Sequence, residues 1–305
     1  MKMISMLISL LVILSLVAGC TKSPAAITQK EAGEKLQVAT TFYPLYDLTR
    51  SIAGDKAKIV SLVPSNVGPH DYEPTPGDVQ KLTSADVFVT MGLEFEEIEQ
   101  ELLKSANKNI KVVHAESGIS LLMVTEEDED EEEQNGVDPH IWLSPKNAKI
   151  MTNNIKNGLV AVDPENANFY LDNAAKLSVE LDNLGQDFKK GLSQCSKNVV
   201  LVNHNAFSYL ARDYGFELIT IHGLEPEVEP TPGQLQELID KAKEHKIKYV
   251  FYEELVDPRV AQTIANEVGA EVLELSPLEG GNPSDTYVSL MHQNLDNLRI
   301  ALECE

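Results

Sequence analysis

The sequence predicts an α/β protein of two βα domains, each with about four mainly parallel strands, joined by one long α-helix. Short β-branched apolar runs alternate with helical stretches of ten or more residues, the pattern of βα units and parallel sheets. A ten-residue segment occurs twice, EPTPGDVQKL at 73–82 and EPTPGQLQEL at 229–238, 156 residues apart in a chain of 305. Between the two copies, residues 164–192 carry an uninterrupted amphipathic pattern without an internal proline after Pro164.

The N-terminus reads as targeting rather than fold. Lys2 supplies a positive start, and residues 3–18 contain no charge. That run is short for a membrane span and suits a secretory signal core. Leu16-Val17-Ala18-Gly19-Cys20 closes it and looks like a bacterial lipobox, in which cleavage precedes a cysteine that then receives lipid. Residues 1–19 are thus expected to be a signal peptide, Cys20 the lipidated residue and 20–35 a polar linker. Acyl chains would hold the chain outside the cytoplasm at a membrane surface. The competing reading is an ordinary signal or a membrane anchor with a chance cysteine.

The first domain is expected over 36–163. It contains the strand-like runs 36–42, 58–64, 86–92 and 111–117. A helical PLYDLTRSIAG follows the first run, and another helix starts at Pro76-Gly77, where proline fits a first turn. An acidic loop is expected at 125–136. Glu126 to Glu133 is all Asp and Glu, and like-charge repulsion favours disorder there. It is either a weak collector of cations or a solvated insertion. In the linking helix, 164–192, Phe169, Ala174, Leu177, Leu181, Leu184 and Phe188 form the apolar stripe. A rigid helix limits the relative motion of the halves, unlike a Gly/Ser linker. The second domain, 193–305, repeats the order, with strand-like runs 198–204, 217–223, 248–254 and 271–277 and a helix starting at Pro232-Gly233. Near-continuous apolar strands indicate burial on both faces of each sheet.

Composition removes several classes of function. With 43% hydrophobic residues the chain is not wholly disordered. With 25 Lys+Arg against 48 Asp+Glu, a formal charge of −23, it repels phosphate backbones, so no nucleic-acid partner is expected. Three cysteines are too few for a disulfide-built scaffold. Cys195 and Cys304 flank the second domain, and outside the cytoplasm their pairing would staple the last helix; sequence does not fix their separation. The chain has no H-E-x-x-H, G-x-S-x-G or P-loop pattern, so a zinc hydrolase is the least favoured reading and no enzyme is expected.

Seven histidines remain to be placed. His70 follows the strand-like run 58–64, His140 sits in VDPHIWLSP, and His204 closes NVVLVNH. All three should lie in loops at the carboxyl ends of strands, where open α/β sheets form their ligand crevice. Neutral imidazole suits zinc. His114, inside a strand, is expected as a satisfied core residue, His245 as a solvated helix end, and His292 as packing or surface. His222 ends the strand-like run 217–223 and is expected as a supporting group or a spare ligand.

GPHDYEPTP (68–76), DPHIWLSP (138–145), NHNAFSYLARDYG (203–215), LSPLEG (275–280) and the last helix, SDTYVSLMHQNLDNLRIAL, together resemble the substrate-binding lipoproteins of zinc and manganese ABC transporters. The similarity covers essentially the whole mature chain, and its order adds specificity. It implies two βα domains joined by a long helix, with metal held between them. It places the metal on His70, His140 and His204. Many members carry Asp at the position of Ser276; in a zinc-binding subset with SPLEG the Glu supplies the carboxylate, which here is Glu279. Three imidazoles and a carboxylate suit tetrahedral Zn(II), with Mn(II) or iron as the alternative. The family implies a receptor, expected as a monomer, that delivers its ion to an ABC permease and its ATPase subunit for uptake. A metal-binding surface adhesin is the rival from the same family.

Overall fold

The computed structural model describes residues 34–93, 96–106, 109–123, 136–224, 226, 230–282 and 284–305, with only the backbone of 96–98. The expected signal 1–19, Cys20 with its linker to residue 33, and the acidic run 126–133 lie outside these residues.

The first half contains β1 (Leu36–Thr40), α1 (Tyr43–Ala53), β2 (Ala57–Ser61), α2 (Pro76–Ser84), β3 (Val87–Thr90), α3 (Glu96–Ala106) and β4 (Lys111–His114). Next come α4 (Pro145–Val162) and the long α5 (Ala167–Gly191). The second half contains β5 (Val199–Val202), α6 (Ser208–Tyr214), β6 (Glu217–Thr220), α7 (Pro232–Glu244), β7 (Tyr249–Tyr252), α8 (Arg259–Val268), β8 (Glu271–Glu274) and α9 (Tyr287–Ala301). The strands form two four-stranded sheets, in the orders β2-β1-β3-β4 and β6-β5-β7-β8, with every pairing parallel. The repeated motif thus marks the same place in two copies of one topology. Among the described residues no helix is long and apolar enough to cross a membrane.

Both copies of the motif open a helix through a capping box with proline in the first turn. Thr75 bonds reciprocally with Asp78 in α2, and Thr231 with Gln234 in α7. α5 runs for 25 residues, about 37 Å at 1.5 Å per residue. It buries Tyr170, Ala174, Leu177, Leu181, Leu184 and Phe188. Phe169, expected in that stripe, is only partly buried and lies against Gly54, under the Lys56 ammonium. The sequence reading assigns no helix to 145–162. Here Ser144 caps α4 by accepting from Asn147 N, and Ala148, Met151, Ile155 and Leu159 form its buried face. Gly158 permits the close approach of α4 to β4, since a Cβ there would stand 2.2 Å from a Val113 methyl.

One hydrophobic core runs through both halves, taking in β1, β3, α1, α4, α5, α6 and α9. A smaller core, built from Leu201, Ile221, Leu238, Ile239, Ala242, Val250, Ala261, Ile264 and Ala265, is confined to the second half. Cys195 and Cys304 are joined by a disulfide, and Glu305 N donates to Gln194 O nearby, so the chain end is fastened beside the end of α5.

Candidate metal centre

Four loops deliver four side chains to one point. His70 lies between β2 and α2, in successive tight turns in which Asp71 N donates to Gly68 O and Tyr72 N to Pro69 O. His140 precedes a 3-10 turn, Ile141–Leu143, whose side chains are fully buried. His204 stands two residues past β5, and Glu279 five residues past β8. Every strand involved runs parallel to its neighbours, so these loops gather at the carboxyl ends of the two sheets.

His70 Nε2 is 3.3 Å from Glu279 Oε1, with both side chains 3% exposed. His140 Nε2 and His204 Nε2 are 4.0 and 3.8 Å from that oxygen and 3.2 Å from each other. One donor atom from each of the four residues falls within 4.8 Å of all the others. A tetrahedron of ~2.0–2.1 Å zinc bonds has edges of about 3.3–3.4 Å, close to the 3.2 and 3.3 Å separations and somewhat shorter than the 3.8 and 4.0 Å ones. Glu279 Oε1 is buried and makes no well-formed hydrogen bond among the described residues. This buried carboxylate oxygen faces three imidazole nitrogens at 3.3–4.0 Å, so four potential donor atoms converge on one point. A divalent cation satisfies all four donors at once.

Two further carboxylates aim the imidazoles. Asp138 Oδ1 accepts from His140 N and lies 2.9 Å from His140 Nδ1. Both oxygens of Glu253 lie 2.7 Å from His204 Nδ1. An acceptor at Nδ1 keeps the proton there and leaves the Nε2 lone pair facing the centre. Burial disfavours the His204 imidazolium, but Glu253 outweighs it and raises that group above the ordinary imidazole value. Burial pushes the Glu279 carboxyl up, yet His70, His204 and His140 outweigh it and hold it below the usual carboxylate range. The centre is therefore electronegative and built for a cation.

The Glu279 segment is held in an unusual shape. Leu278 has φ +59°, which costs a leucine energy. Its N–H donates to Ser276 Oγ, and Ser276 Oγ donates to Glu254 Oε1. Asn294 of α9 grips both backbone groups of Ser276. Across the centre, Trp142 Nε1 donates to Pro277 O and Tyr287 OH to Trp142 O, while Tyr209 OH donates to Asp138 O. The residues beside the four donors are thus tied from one half to the other.

The remaining histidines lie elsewhere. His114 corrects the expectation of a satisfied core residue: its side chain is 47% exposed, because β4 is an edge strand, and it stands 3.8 Å from both Glu99 and Glu116. His245 is exposed at the end of α7. His292 is half-buried and pairs with Asp187. His222 is buried at the end of β6 but is not among the four grouped donors. Sequence reading missed Asp138 and Glu253. Glu253 was recoverable: Leu201 pairs with Val250 in parallel register, so the residues three positions further on, His204 and Glu253, come side by side.

Residues 38–301 match the family described as "Zinc-uptake complex component A periplasmic", ZnuA. The chain belongs to this family. Among ZnuA relatives, the high-affinity zinc uptake system protein ZnuA of Bacillus subtilis is 36% identical over 299 residues, covering 94% of each chain. The zinc-binding lipoprotein AdcA of Streptococcus pneumoniae is also 36% identical, over 98% of this chain but 61% of its own longer one. A solved ZnuA deletion mutant with zinc bound superposes at a TM-score of 0.78, with 32% identity over 88% of this chain and 98% of that one. The laminin-binding protein Lmb of Streptococcus agalactiae, described as having adhesin and metal-transporting activity, superposes at 0.79 with 31% identity over 88% and 99%.

Proposed function

We propose that this chain is an extracytoplasmic high-affinity zinc receptor. It captures Zn(II) on His70, His140, His204 and Glu279 and delivers it to an ABC permease, with its ATPase subunit, for uptake. The convergence of these four buried donor atoms from four separated loops carries the proposal. Membership of a family whose relatives are named for zinc uptake supports it. In this picture residues 36–163 and 193–305 are the two domains and 164–192 is their joint. Residues 1–19 are a signal, Cys20 anchors a monomer to the membrane, and the Cys195–Cys304 disulfide persists outside the cytoplasm. The chain binds and releases its ion and carries out no reaction.

Purification without chelator, followed by competition titration with zinc and manganese, tests the proposal. One zinc per chain, held more tightly than manganese and strongly weakened in His140→Ala, is expected. Tighter manganese binding would move the chain to the manganese and iron receptors. Unchanged stoichiometry in His140→Ala would remove His140 from the site. The likeness to Lmb favours one second reading, a surface adhesin that also binds metal. Solid-phase binding to laminin with and without zinc separates that role from transport.

A further inference from the structure

The two residues after Glu279 are glycines, and each lies where a side chain has no room. A Cβ on Gly280 would stand 2.7 Å from the Ser65 carbonyl oxygen, in the same β2–α2 loop that carries His70. A Cβ on Gly281 would stand 2.3–2.6 Å from three carbons of the Tyr43 ring. Neither contact is tolerable, since real Cβ atoms essentially never approach within 3.0 Å. Tyr43 opens α1 and is buried, 6% exposed. The segment leaving Glu279 therefore threads between the His70 loop and a buried tyrosine of the opposite half.

We propose that Gly280 and Gly281 are positioning residues: lacking side chains, they let the segment pass the Ser65 carbonyl and the Tyr43 ring, and so set the distance between Glu279 and His70 and tune the cage to zinc over a larger ion. The inference rests on Glu279 being a ligand. A methyl group at 281 forces the segment, the Tyr43 ring or both apart by about an ångström or more to reach an ordinary contact, and the segment's share of that shift displaces Glu279. The 3.3 Å separation between Glu279 Oε1 and His70 Nε2 would widen with it. Zinc requires short bonds in a closed tetrahedron and loses most from that change. Manganese takes more oxygen ligands, accepts water and loses less.

The test is competition titration of zinc and manganese on the full chain. Gly281→Ala should weaken zinc by about ten-fold or more, in the range of supporting residues around metal sites, and lower the zinc-to-manganese affinity ratio. Adding Tyr43→Ala to Gly281→Ala should restore both, because it removes the ring that the methyl strikes. A simple loss of stability would not move the ratio, and the second substitution would not repair it. Gly233→Ala is the control, since its Cβ would meet only Thr231 Oγ1 at 4.0 Å. Should Gly281→Ala not fold, Gly280→Ala, whose Cβ would stand 2.7 Å from the Ser65 carbonyl oxygen rather than the ring, takes its place, with the zinc-to-manganese ratio as the deciding readout. Wild-type affinity and ratio in the glycine variant, or no recovery in the double variant, would overturn the proposal. Glu279→Ala separates the two levels: wild-type zinc affinity there removes the ligand assignment itself, whereas a large loss there with no effect at the glycines removes only the positioning role.

Discussion

The two halves share a strand order but not an architecture of support. In the first half the sheet, its helices and the joint α5 belong to one continuous core. In the second half, α7 and α8 close over a separate small core, while α6 and α9 join the shared one. Each half supplies two of the four donors, yet the donors hang from the shared side: Trp142, Tyr209 and Tyr287, all fully buried, bracket them. The difference predicts that the candidate cation centre is coupled less to the core under α7 and α8 than to the shared core.

The largest expected effect probes the symmetry of the donors. Structural zinc sites in zinc-finger peptides release about 10–16 kcal/mol on binding, so an equal share for one of four ligands is roughly 2.5–4 kcal/mol. His204→Ala and His70→Ala should each lower zinc affinity by about two to three orders of magnitude, as read by chelator competition. Losses that differ between the two by more than about ten-fold would break the equivalence of the halves.

The next prediction tests the weaker coupling. Ile264, fully buried in the separate core, should cost about 2–5 kcal/mol of stability when replaced by alanine. Zinc affinity should not change. Leu184→Ala, in the shared core on α5, should cost a similar amount and also weaken zinc. Denaturant unfolding of the zinc-free protein paired with zinc titration reads both, and a loss of zinc affinity in Ile264→Ala would merge the two cores functionally.

A third prediction concerns the carboxylates behind the imidazoles. In the proposed site, zinc displaces any proton on His204, a group that Glu253 raises above the ordinary imidazole value against the opposing effect of burial. Wild-type affinity should therefore fall on acidification from a pH above about 6.5. Glu253→Gln removes the charge and lets burial dominate, so the acid limb should move to lower pH. At neutral pH the same variant should bind zinc about 10–100-fold more weakly, because Nδ1 loses its charged acceptor. An unmoved limb would show that Glu253 only packs against the ring.

Much of this arrangement is written in local sequence, and the limits have physical causes. The eight strands and the joint helix are legible because parallel strands and amphipathic helices impose periodicities. The three site histidines are legible because strand ends in a parallel sheet share one edge. Glu279 needed the resemblance, since nothing local distinguishes it from a turn glutamate. α4 escaped notice because its buried face includes Thr152 and Gly158, so its apolar stripe is broken. His114 was misplaced because a strand-like sequence does not say whether the strand is central or at an edge. Trp142 and Tyr287 act through contacts between distant segments, which no periodicity encodes, whereas Asp138 stands only two residues from His140 and was missed because an Asp before Pro reads equally as a turn residue.

The smallest prediction returns to the repeat and its one chemical difference. Asp78 and Gln234 close equivalent capping boxes, but only the first can be protonated. Burial works against the Asp78 carboxylate, yet hydrogen bonds from Lys81, Thr75 and Tyr72 prevail and hold it down at about 2. Its folded value lies below the unfolded ~3.9, so its contribution is fully present above that pH and is lost as acidity carries the group down through about 2. The Gln234 box has no such dependence. Asp78→Asn should cost about 1 kcal/mol at pH 7, the ordinary worth of a helix cap, and should flatten the fall in stability between pH 4 and 2. Gln234→Asp should add a fall of its own over the same interval, unless the lysine that α2 sets beside its box, and that α7 does not, is what holds the first carboxylate charged. Unfolding of the zinc-free protein at pH 7, 4 and 2.5 distinguishes these outcomes, and an Asp78→Asn curve parallel to wild type would place the acid sensitivity elsewhere.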